Sequence, residues 1–167
     1  MKVLQEMVFI SEIVLQSKIA LRAAERLQSN HTFGDKVEVW CSIQSILVAA
    51  GNVFKILRPH QKNKVRGERL RQILKVDKKN ILSDRKFRNH FENYYERTEE
   101  WFDNQSSNVH IDLAMNPSLQ GFMTFSVHRG NNTFNKTLIF RGESLDLNAA
   151  LKALEELLNN CKPYVLT

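Results

Sequence analysis

The segment SDRKFRNHFENYYERTEEWF, residues 83–102, places arginine, asparagine, histidine and tyrosine on one predicted helix. A guanidinium group holds phosphate through paired hydrogen bonds, and an imidazole exchanges a proton near neutral pH. Arg85, Arg88 and His90 are therefore the residues of this chain whose types and spacing best suit chemistry on a phosphate group.

The order of charges along this predicted helix points to an anion. Arg85, Lys86 and Arg88 occupy the first turns, opposite to the preference of the helix macrodipole. The last turns carry acids, namely Glu96, Glu99, Glu100 and Asp103. Cations at a helix N-terminus reinforce its affinity for anions such as phosphate. The alternative is that Arg88 pairs with Glu92 at i+4 and the other charges are solvated.

The run ArgLysPheArgAsnHis, on a late helix of a helical bundle, resembles the HEPN superfamily, whose pattern is an arginine, four to six residues, then a histidine. Arg85 and His90 satisfy that spacing. The resemblance covers about residues 3–105. In a second register, Arg88 and Asn89 match the family preference for asparagine after the arginine, but Asn93 stands where the histidine would be.

The resemblance implies a metal-independent endoribonuclease, toxin-like or defence-like, with its site assembled where two such helices meet in a homodimer. His90 would act on the ribose 2′-hydroxyl or the leaving oxygen, Arg85 or Arg88 would hold the phosphate, and the product would be a 2′,3′-cyclic phosphate. Substrate binding is assigned to Asn89, Asn93, Lys86, Arg97 and Tyr94. RNA, a second copy of the chain and an antitoxin or other protein are the expected partners, and no cofactor or metal is expected. The alternative is a catalytically inactive HEPN-like module that binds RNA or protein.

Four helices are predicted to position these residues. They cover residues 3–27, 35–57, 64–75 and 83–102, and the first is expected to be long and largely buried. Asp35 can cap the second helix, in which Gly51 suggests a close helix contact. Ser83 is a good N-cap for the fourth, with Leu82 and Phe87 spaced as a hydrophobic staple.

After about residue 105 the apolar period changes from helical to two. Strands are predicted at residues 109–115, 122–129 and 133–141, with a hairpin turn at 130–132. A final amphipathic helix, begun at Asp146 and ended before Pro163, is expected to cover the sheet. The fold class is therefore α+β: a four-helix bundle-like part followed by a three-stranded antiparallel sheet and a C-terminal helix. One domain over residues 1–167 is expected, divided at about 105 and 106 into a helical part and a β-meander with its helix.

Composition favours an ordinary folded protein, because 43% of the residues are apolar and 25% are charged. The net charge of +6 is concentrated: between residues 55 and 88, 13 Lys and Arg stand against three acids. Such a block is typical of a nucleic-acid surface, although a solvated helix face is the plain alternative. No secretory signal and no apolar run of membrane-spanning length is recognised, so no membrane association is expected. Cys41 and Cys161 are interpreted as free, mostly buried thiols, which favours the cytoplasm.

The remaining histidines give weaker signals. His110 and Asp112 share one predicted strand face, and His128 can approach them, but their spacing does not favour a metal site. Trp40 and Trp101 are expected in the core. A plain α+β protein whose basic segment is only solvated therefore remains a third hypothesis.

Overall fold

The structure, a computed structural model, describes residues 3–29, 35–77, 80–83, 94–104, 110–121 and 126–165. Its α-helices in these ranges are α1 (Val3–Ser29), α2 (Lys36–Leu57), α3 (Lys64–Ile73), α4 (Tyr94–Asp103) and α5 (Leu147–Cys161). Its strands are β1 (Ala114–Met115), β2 (Arg129–Asn132), β3 (Thr137–Phe140) and β4 (Glu143–Asp146). The predicted α+β class is confirmed in this form.

The chain forms two compact units. Residues 1–85 with 149–167 make the helical unit, and residues 86–148 make the sheet unit. Compact units are not by themselves separate domains, because a domain is a part that has its own core and can fold alone. The prediction of a single domain therefore stays a prediction.

The helical unit is built on the pair α1 and α2. Asp35 caps α2 as predicted, since its carboxylate accepts a hydrogen bond from the Val37 backbone N–H at 2.8 Å. The facing sides of the two helices bury small residues, Ala20, Ala23, Ala24, Ala49 and Ala50, which let the backbones approach closely. Around them lie fully buried larger side chains, Ile10, Ile13, Ile43, Ile46 and Val53. The expectation that α1 is largely buried is wrong, because Leu4, Val8 and Leu15 are exposed.

A short 3-10 turn, Gln61–Asn63, leads into α3, whose Leu70 is buried in the helical core together with Leu74 just beyond it. Gly67 marks the closest approach of α3 to the end of α2. A Cβ built there would lie 2.6 Å from the Leu57 carbonyl oxygen and 2.5 Å from Pro59 Cδ. No neighbour lies within 4 Å of such an atom at Gly51, so the glycine that permits close contact is Gly67.

The predicted fourth helix is described in its second half only, as α4. Its predicted start, including the staple partner Phe87, lies outside the described residues. Residues Ile81–Ser83 form a 3-10 turn in which Leu82 is buried in the helical core. Phe102, near the end of α4, is 52% exposed.

The sheet unit holds a four-stranded mixed sheet in the order β1-β2-β3-β4. β1 pairs with β2 in parallel, and the other neighbours are antiparallel. An isolated parallel bridge joins Ile111 and Val127. The predicted three-stranded antiparallel sheet is therefore wrong in strand number and in the direction of its first strand.

The predicted hairpin turn at 130–132 is also wrong, because those residues belong to β2. Gly130 serves close packing rather than a turn: a Cβ there would lie 2.8 Å from Pro117 Cγ and 2.9 Å from Val127 Cγ1. The two-residue turn joins β3 to β4 instead, at Arg141 and Gly142, whose φ angles are 51° and 81°. Positive φ at both positions is the signature of a type I′ hairpin turn.

The C-terminal helix α5 contributes to the helical core. Its side chains Ala153, Leu154, Leu157 and Cys161 are buried in one cluster with residues of α1, α2 and α3. The expectation that this helix covers the sheet is therefore wrong for these residues. Asn160 strengthens the attachment by donating from Nδ2 to the Leu74 carbonyl oxygen at 3.0 Å.

One helix among the described residues, α2, is long and apolar enough to cross a membrane by length and composition. The sequence interpretation that no run approaches that length needs correction here. Half of its most apolar window is buried inside the structure, because α2 is the central helix of the helical core. The core helix of a soluble protein can be as long and as apolar as a membrane-spanning helix, so length and composition do not distinguish the two.

Candidate anion-binding cleft

A cleft of about 590 Å³ lies between the start of α1 and the start of α3. Its lining residues are Gln5, Glu6, Lys62, Asn63, Val65, Arg66 and Arg69. Three of these are cations and one is a carboxylate, so the cleft carries a net positive charge. Its α3 side, from Lys62 to Arg69, belongs to the basic segment that the sequence singled out at residues 55–88.

The local sequence holds α3 in the place that forms this cleft. Pro59 follows α2, and α3 then packs back on the end of α2 through Gly67. Arg71 secures the junction, because its Nη1 donates a hydrogen bond to the Leu57 carbonyl oxygen, one of the α2 carbonyls without a helical partner. With this face of α3 fixed, Arg66 and Arg69 lie on the side that meets α1.

Arg66 is held by an aromatic ring. Its guanidinium carbon lies 4.3 Å from the centroid of Phe9 on α1, within the range of a cation–π contact. Its Nε is buried and has no hydrogen-bond partner in the described part of the chain. Among those same residues neither Arg66 nor Lys62 forms an ion pair.

Arg69 is the cleft cation that forms an ion pair among the described residues. Its Nε lies 3.2 Å from Glu6 Oε1, and the Glu6 side chain is mostly shielded. Nearby, burial and the charge of Arg71 lower the pKa of Arg58 at the end of α2. Burial is the larger cause, and the smaller one shows that the Arg58 and Arg71 guanidinium groups lie near each other at this junction.

The predicted catalytic residues Arg85, Arg88 and His90 lie outside the described residues. The same is true of Lys86, Asn89 and Asn93, which were assigned to substrate binding. Tyr94 and Arg97 fall within α4, but their side chains also lie outside the described part. Whether these residues come together therefore stays a prediction.

A second polar cluster lies in the sheet unit and was anticipated only in outline. The rings of His110 and His128 approach to 5.5 Å between centroids, which confirms that these two histidines come together. Trp101 contacts both, at 5.6 Å and 5.2 Å, and Phe140 lies 5.7 Å from His128. Trp101, which was predicted to be a core residue, therefore packs against these two imidazoles.

Charged groups surround this ring cluster. Arg129 donates two hydrogen bonds to the Asp112 carboxylate, from Nε at 2.8 Å and from Nη2 at 2.5 Å. Burial acts to raise the pKa of Asp112, but the hydrogen bond and charge of Arg129 outweigh it and the pKa is lowered. Burial lowers the pKa of His128 to about 4, so this imidazole is neutral at pH 7. A neutral, 2% exposed histidine in a ring stack serves packing better than proton transfer.

No group of three or more His, Cys, Asp or Glu side chains able to hold a metal ion occurs among the described residues. Both cysteines are free. Cys161 is buried, and burial raises its pKa to about 11. Cys41 is exposed, so the expectation of two buried thiols is wrong for that residue.

No protein-family model, curated protein or solved structure matches this chain. The residues of the cleft were not predicted together, because Glu6 and Arg69 are 63 positions apart in sequence and no spacing rule connects them. The local excess of lysine and arginine was the only signal that pointed to its basic half.

Proposed function

We propose that this protein binds RNA and that the cleft of Lys62, Arg66 and Arg69 holds the phosphate backbone. The observation that carries the proposal is the grouping of three cations around one carboxylate in a cleft of about 590 Å³. Phosphate contacts by lysine and arginine dominate nucleic-acid affinity. A cytoplasmic location is part of the proposal, since two free cysteines are typical of a reducing compartment.

The charge of the helical unit supports a polyanionic partner. It carries 18 Lys and Arg against 10 Asp and Glu, whereas the sheet unit carries 6 against 8. A long polyanion is attracted by the whole field of the unit as well as by contacts in the cleft. A small anionic metabolite would need only the cleft.

The binding test uses a fluorescent single-stranded oligoribonucleotide in EDTA, followed by anisotropy over a range of salt concentrations. We expect the triple variant Lys62→Gln, Arg66→Gln, Arg69→Gln to lose at least tenfold in affinity. If each cation meets one phosphate, the slope of log K against log salt falls by about 2, at about 0.7 per phosphate on a single strand.

The matched control changes three exposed lysines of the same unit that do not line the cleft, Lys36→Gln, Lys152→Gln and Lys162→Gln. This variant loses the same net charge and should bind almost as the wild type does. Equal losses of RNA affinity in both triple variants would show that the cleft binds RNA no better than the rest of the basic surface. Failure of the wild type to bind RNA at low salt would overturn the proposal.

The second candidate function is metal-independent RNA cleavage of HEPN type by a homodimer, favoured by the spacing of Arg85 and His90. It belongs to the proposal as a further step, in which His90 moves the proton and Arg85 or Arg88 stabilises the phosphate. A toxin or defence role, with an antitoxin or another protein partner, would follow from such an activity.

Cleavage is tested by incubating RNA with the purified protein in EDTA and looking for 2′,3′-cyclic phosphate ends. We expect His90→Ala and Arg85→Ala to abolish cleavage, and His90→Ala to leave RNA binding intact. Loss with Arg88→Ala but not with His90→Ala would favour the register of Arg88, Asn89 and Asn93. Binding without any cleavage by the wild type would leave the inactive RNA-binding module as the function.

A further inference from the structure

Glu6 is the one acid among the described residues that line the cleft, where it lies beside Lys62, Arg66 and Arg69. Its side chain is only 17% exposed, so this carboxylate belongs to the wall of the cleft and is not turned out into solvent. A carboxylate in a site that attracts phosphate alone is unfavourable, because like charges repel. The proposed binding of a phosphate backbone explains the three cations and leaves Glu6 without a role.

Glu6 and Arg69 are joined by a single hydrogen bond, from Arg69 Nε to Glu6 Oε1 at 3.2 Å. A guanidinium that binds a carboxylate fully uses two donors and both oxygens, so this pair uses half of its capacity. In the described part of the chain, Glu6 Oε2 and the two terminal amino groups of Arg69 form no hydrogen bond. The pair therefore offers a ligand one charged acceptor and one forked donor, side by side.

This pair of groups fits a ligand that carries phosphate oxygens and, directly beside them, a hydrogen-bond donor. In RNA the ribose 2′-hydroxyl stands on the carbon next to the one that bears the 3′-phosphate, whereas DNA has no hydroxyl there. The amino groups of the bases are also donors, but the sugar separates them from the phosphate. Since the Glu6 and Arg69 side chains are in direct contact, the ligand groups that they bind must be neighbours as well.

We propose that Glu6 makes the cleft select RNA over DNA, by accepting a hydrogen bond from a ribose 2′-hydroxyl while Arg69 holds the adjacent phosphate. This inference rests on the proposed binding of RNA at the same cleft. With RNA bound, the hydroxyl proton offsets the repulsion between the carboxylate and the phosphate. With DNA bound, the carboxylate faces the phosphate with no donor beside it. A site built to hydrogen-bond a hydroxyl rejects the analogue that lacks it, because its polar group is left unpaired.

The selectivity is tested by anisotropy with a fluorescent oligouridylate and an oligodeoxyuridylate of the same length, which differ only in the 2′-hydroxyl. We expect the full chain to bind the RNA strand at least about tenfold more tightly, as a hydrogen bond to a charged group allows. A 2′-fluoro strand keeps a ribose-like sugar pucker but has no proton to donate, so it should bind as weakly as DNA. Binding of the 2′-fluoro strand as tightly as RNA would mean that sugar shape sets the preference, and would overturn the proposal.

Glu6→Gln isolates the carboxylate. Glutamine keeps an oxygen that accepts from Arg69 and replaces the other oxygen with an amide donor, which suits phosphate. We expect DNA to bind more tightly and the ratio of RNA to DNA affinity to fall at least about fivefold, with an unchanged circular dichroism spectrum. The matched control is Glu68→Gln, which removes a carboxylate of α3 that lies 3.8 Å from Lys64 and does not line the cleft. It should raise the affinity for both strands alike and leave their ratio unchanged.

The outcomes separate this inference from the proposed RNA binding. Equal binding of RNA and DNA by the wild type, with affinity still lost in the triple variant of Lys62, Arg66 and Arg69, would overturn the role of Glu6 and leave the cleft as a binding site. Binding of neither strand would overturn both proposals. If Glu6→Gln keeps the wild-type ratio of RNA to DNA affinity, then Glu6 only holds Arg69 in place and does not select the sugar.

Discussion

Most of the buried apolar residues that the structure describes lie in the helical unit, whereas four of the six buried polar residues, Ser126, His128, Asn131 and Asn132, lie in the sheet unit. The apolar cluster of the helical unit joins three elements distant in sequence, with Ile13, Val53 and Leu154 all fully buried. In the sheet unit the described cluster around Val127 is small. Among the described residues, the helical interior is therefore almost wholly apolar, whereas the sheet unit also contains buried polar side chains, stacked rings and an ion pair.

This contrast extends to charge. The helical unit is strongly basic and its cations surround a cleft, while the sheet unit is slightly acidic and pairs its charges internally, as in Asp112 with Arg129. Uncompensated charge at a surface attracts ligands, and compensated charge inside a fold stabilises it. The cleft of the helical unit is therefore the better candidate for a ligand site, although the sheet unit groups His110, His128, Asp112 and Arg129 together.

The largest expected effect comes from the apolar interior of the helical unit. Leu154→Ala in α5 should lower the free energy of unfolding by about 3 to 4 kcal/mol, because Leu154 is fully buried and leaves a cavity. Urea unfolding followed by circular dichroism measures it. Leu119→Ala makes the same chemical change at an exposed site and should stay within about 0.5 kcal/mol. Equal effects would break the assignment of α5 to this core.

A glycine pair tests how α3 is seated. Gly67→Ala should cost about 2 to 3 kcal/mol, since its methyl group would collide with the Leu57 carbonyl and the Pro59 ring. Gly51→Ala should instead stabilise by about 0.5 to 1 kcal/mol, because nothing crowds that helical position. Thermal unfolding of both variants measures the two changes in stability, which we expect to have opposite signs. A tolerated Gly67→Ala would show that α3 does not press on the end of α2.

The sheet unit should carry a histidine-dependent loss of stability in acid. The pKa of His128 is about 6.5 when unfolded and about 4 when folded, because burial disfavours its charged form. The unfolded chain therefore binds a proton first: the contribution of His128 is full well above pH 6.5, falls by about 3 kcal/mol as pH drops through 6.5 towards 4, and levels off below that. Asp112 opposes this shift, and Arg141, Arg129 and His110 reinforce it.

Urea unfolding of wild type and His128→Gln from pH 7 to 4 isolates this contribution as the difference between the two curves. His60→Gln is the matched control, because that imidazole is exposed and belongs to the helical unit, and it should keep the wild-type slope. If His128→Gln unfolds with the same pH dependence as the wild type, His128 is not buried as a neutral base.

The smallest expected effect concerns the ion pair of the sheet unit. Asp112→Asn should cost about 1 to 2 kcal/mol, since the carboxylate is two-thirds shielded and held by two charge-assisted hydrogen bonds. Glu25→Gln removes the 3.5 Å pair of Glu25 with Arg22 on the exposed side of α1 and should cost about 0.3 kcal/mol or less. Similar values for both would mean that charges in the two units are equally screened.

The sequence by itself determined what depends on local pattern. The helical period predicted α1, α2, α3 and the final helix to within a few residues, Asp35 was identified as a cap, and the basic segment was found by counting charges. These features are predictable because capping, helical period and charge density are properties of neighbouring residues. The same reasoning brought His110 and His128 together.

Only the tertiary structure decided which partners meet across long separations. Glycine followed by two asparagines predicts a turn, but the packing of Pro117 and Val127 makes Gly130 a strand residue and leaves the turn to Arg141 and Gly142. The period of α1 gives apolar residues on two sides and does not say which side is covered. Glu6 and Arg69 form one cleft only because Gly67 lets α3 pack against the end of α2. Contacts of this kind depend on shape and distance in the folded chain, which residue type and spacing do not encode.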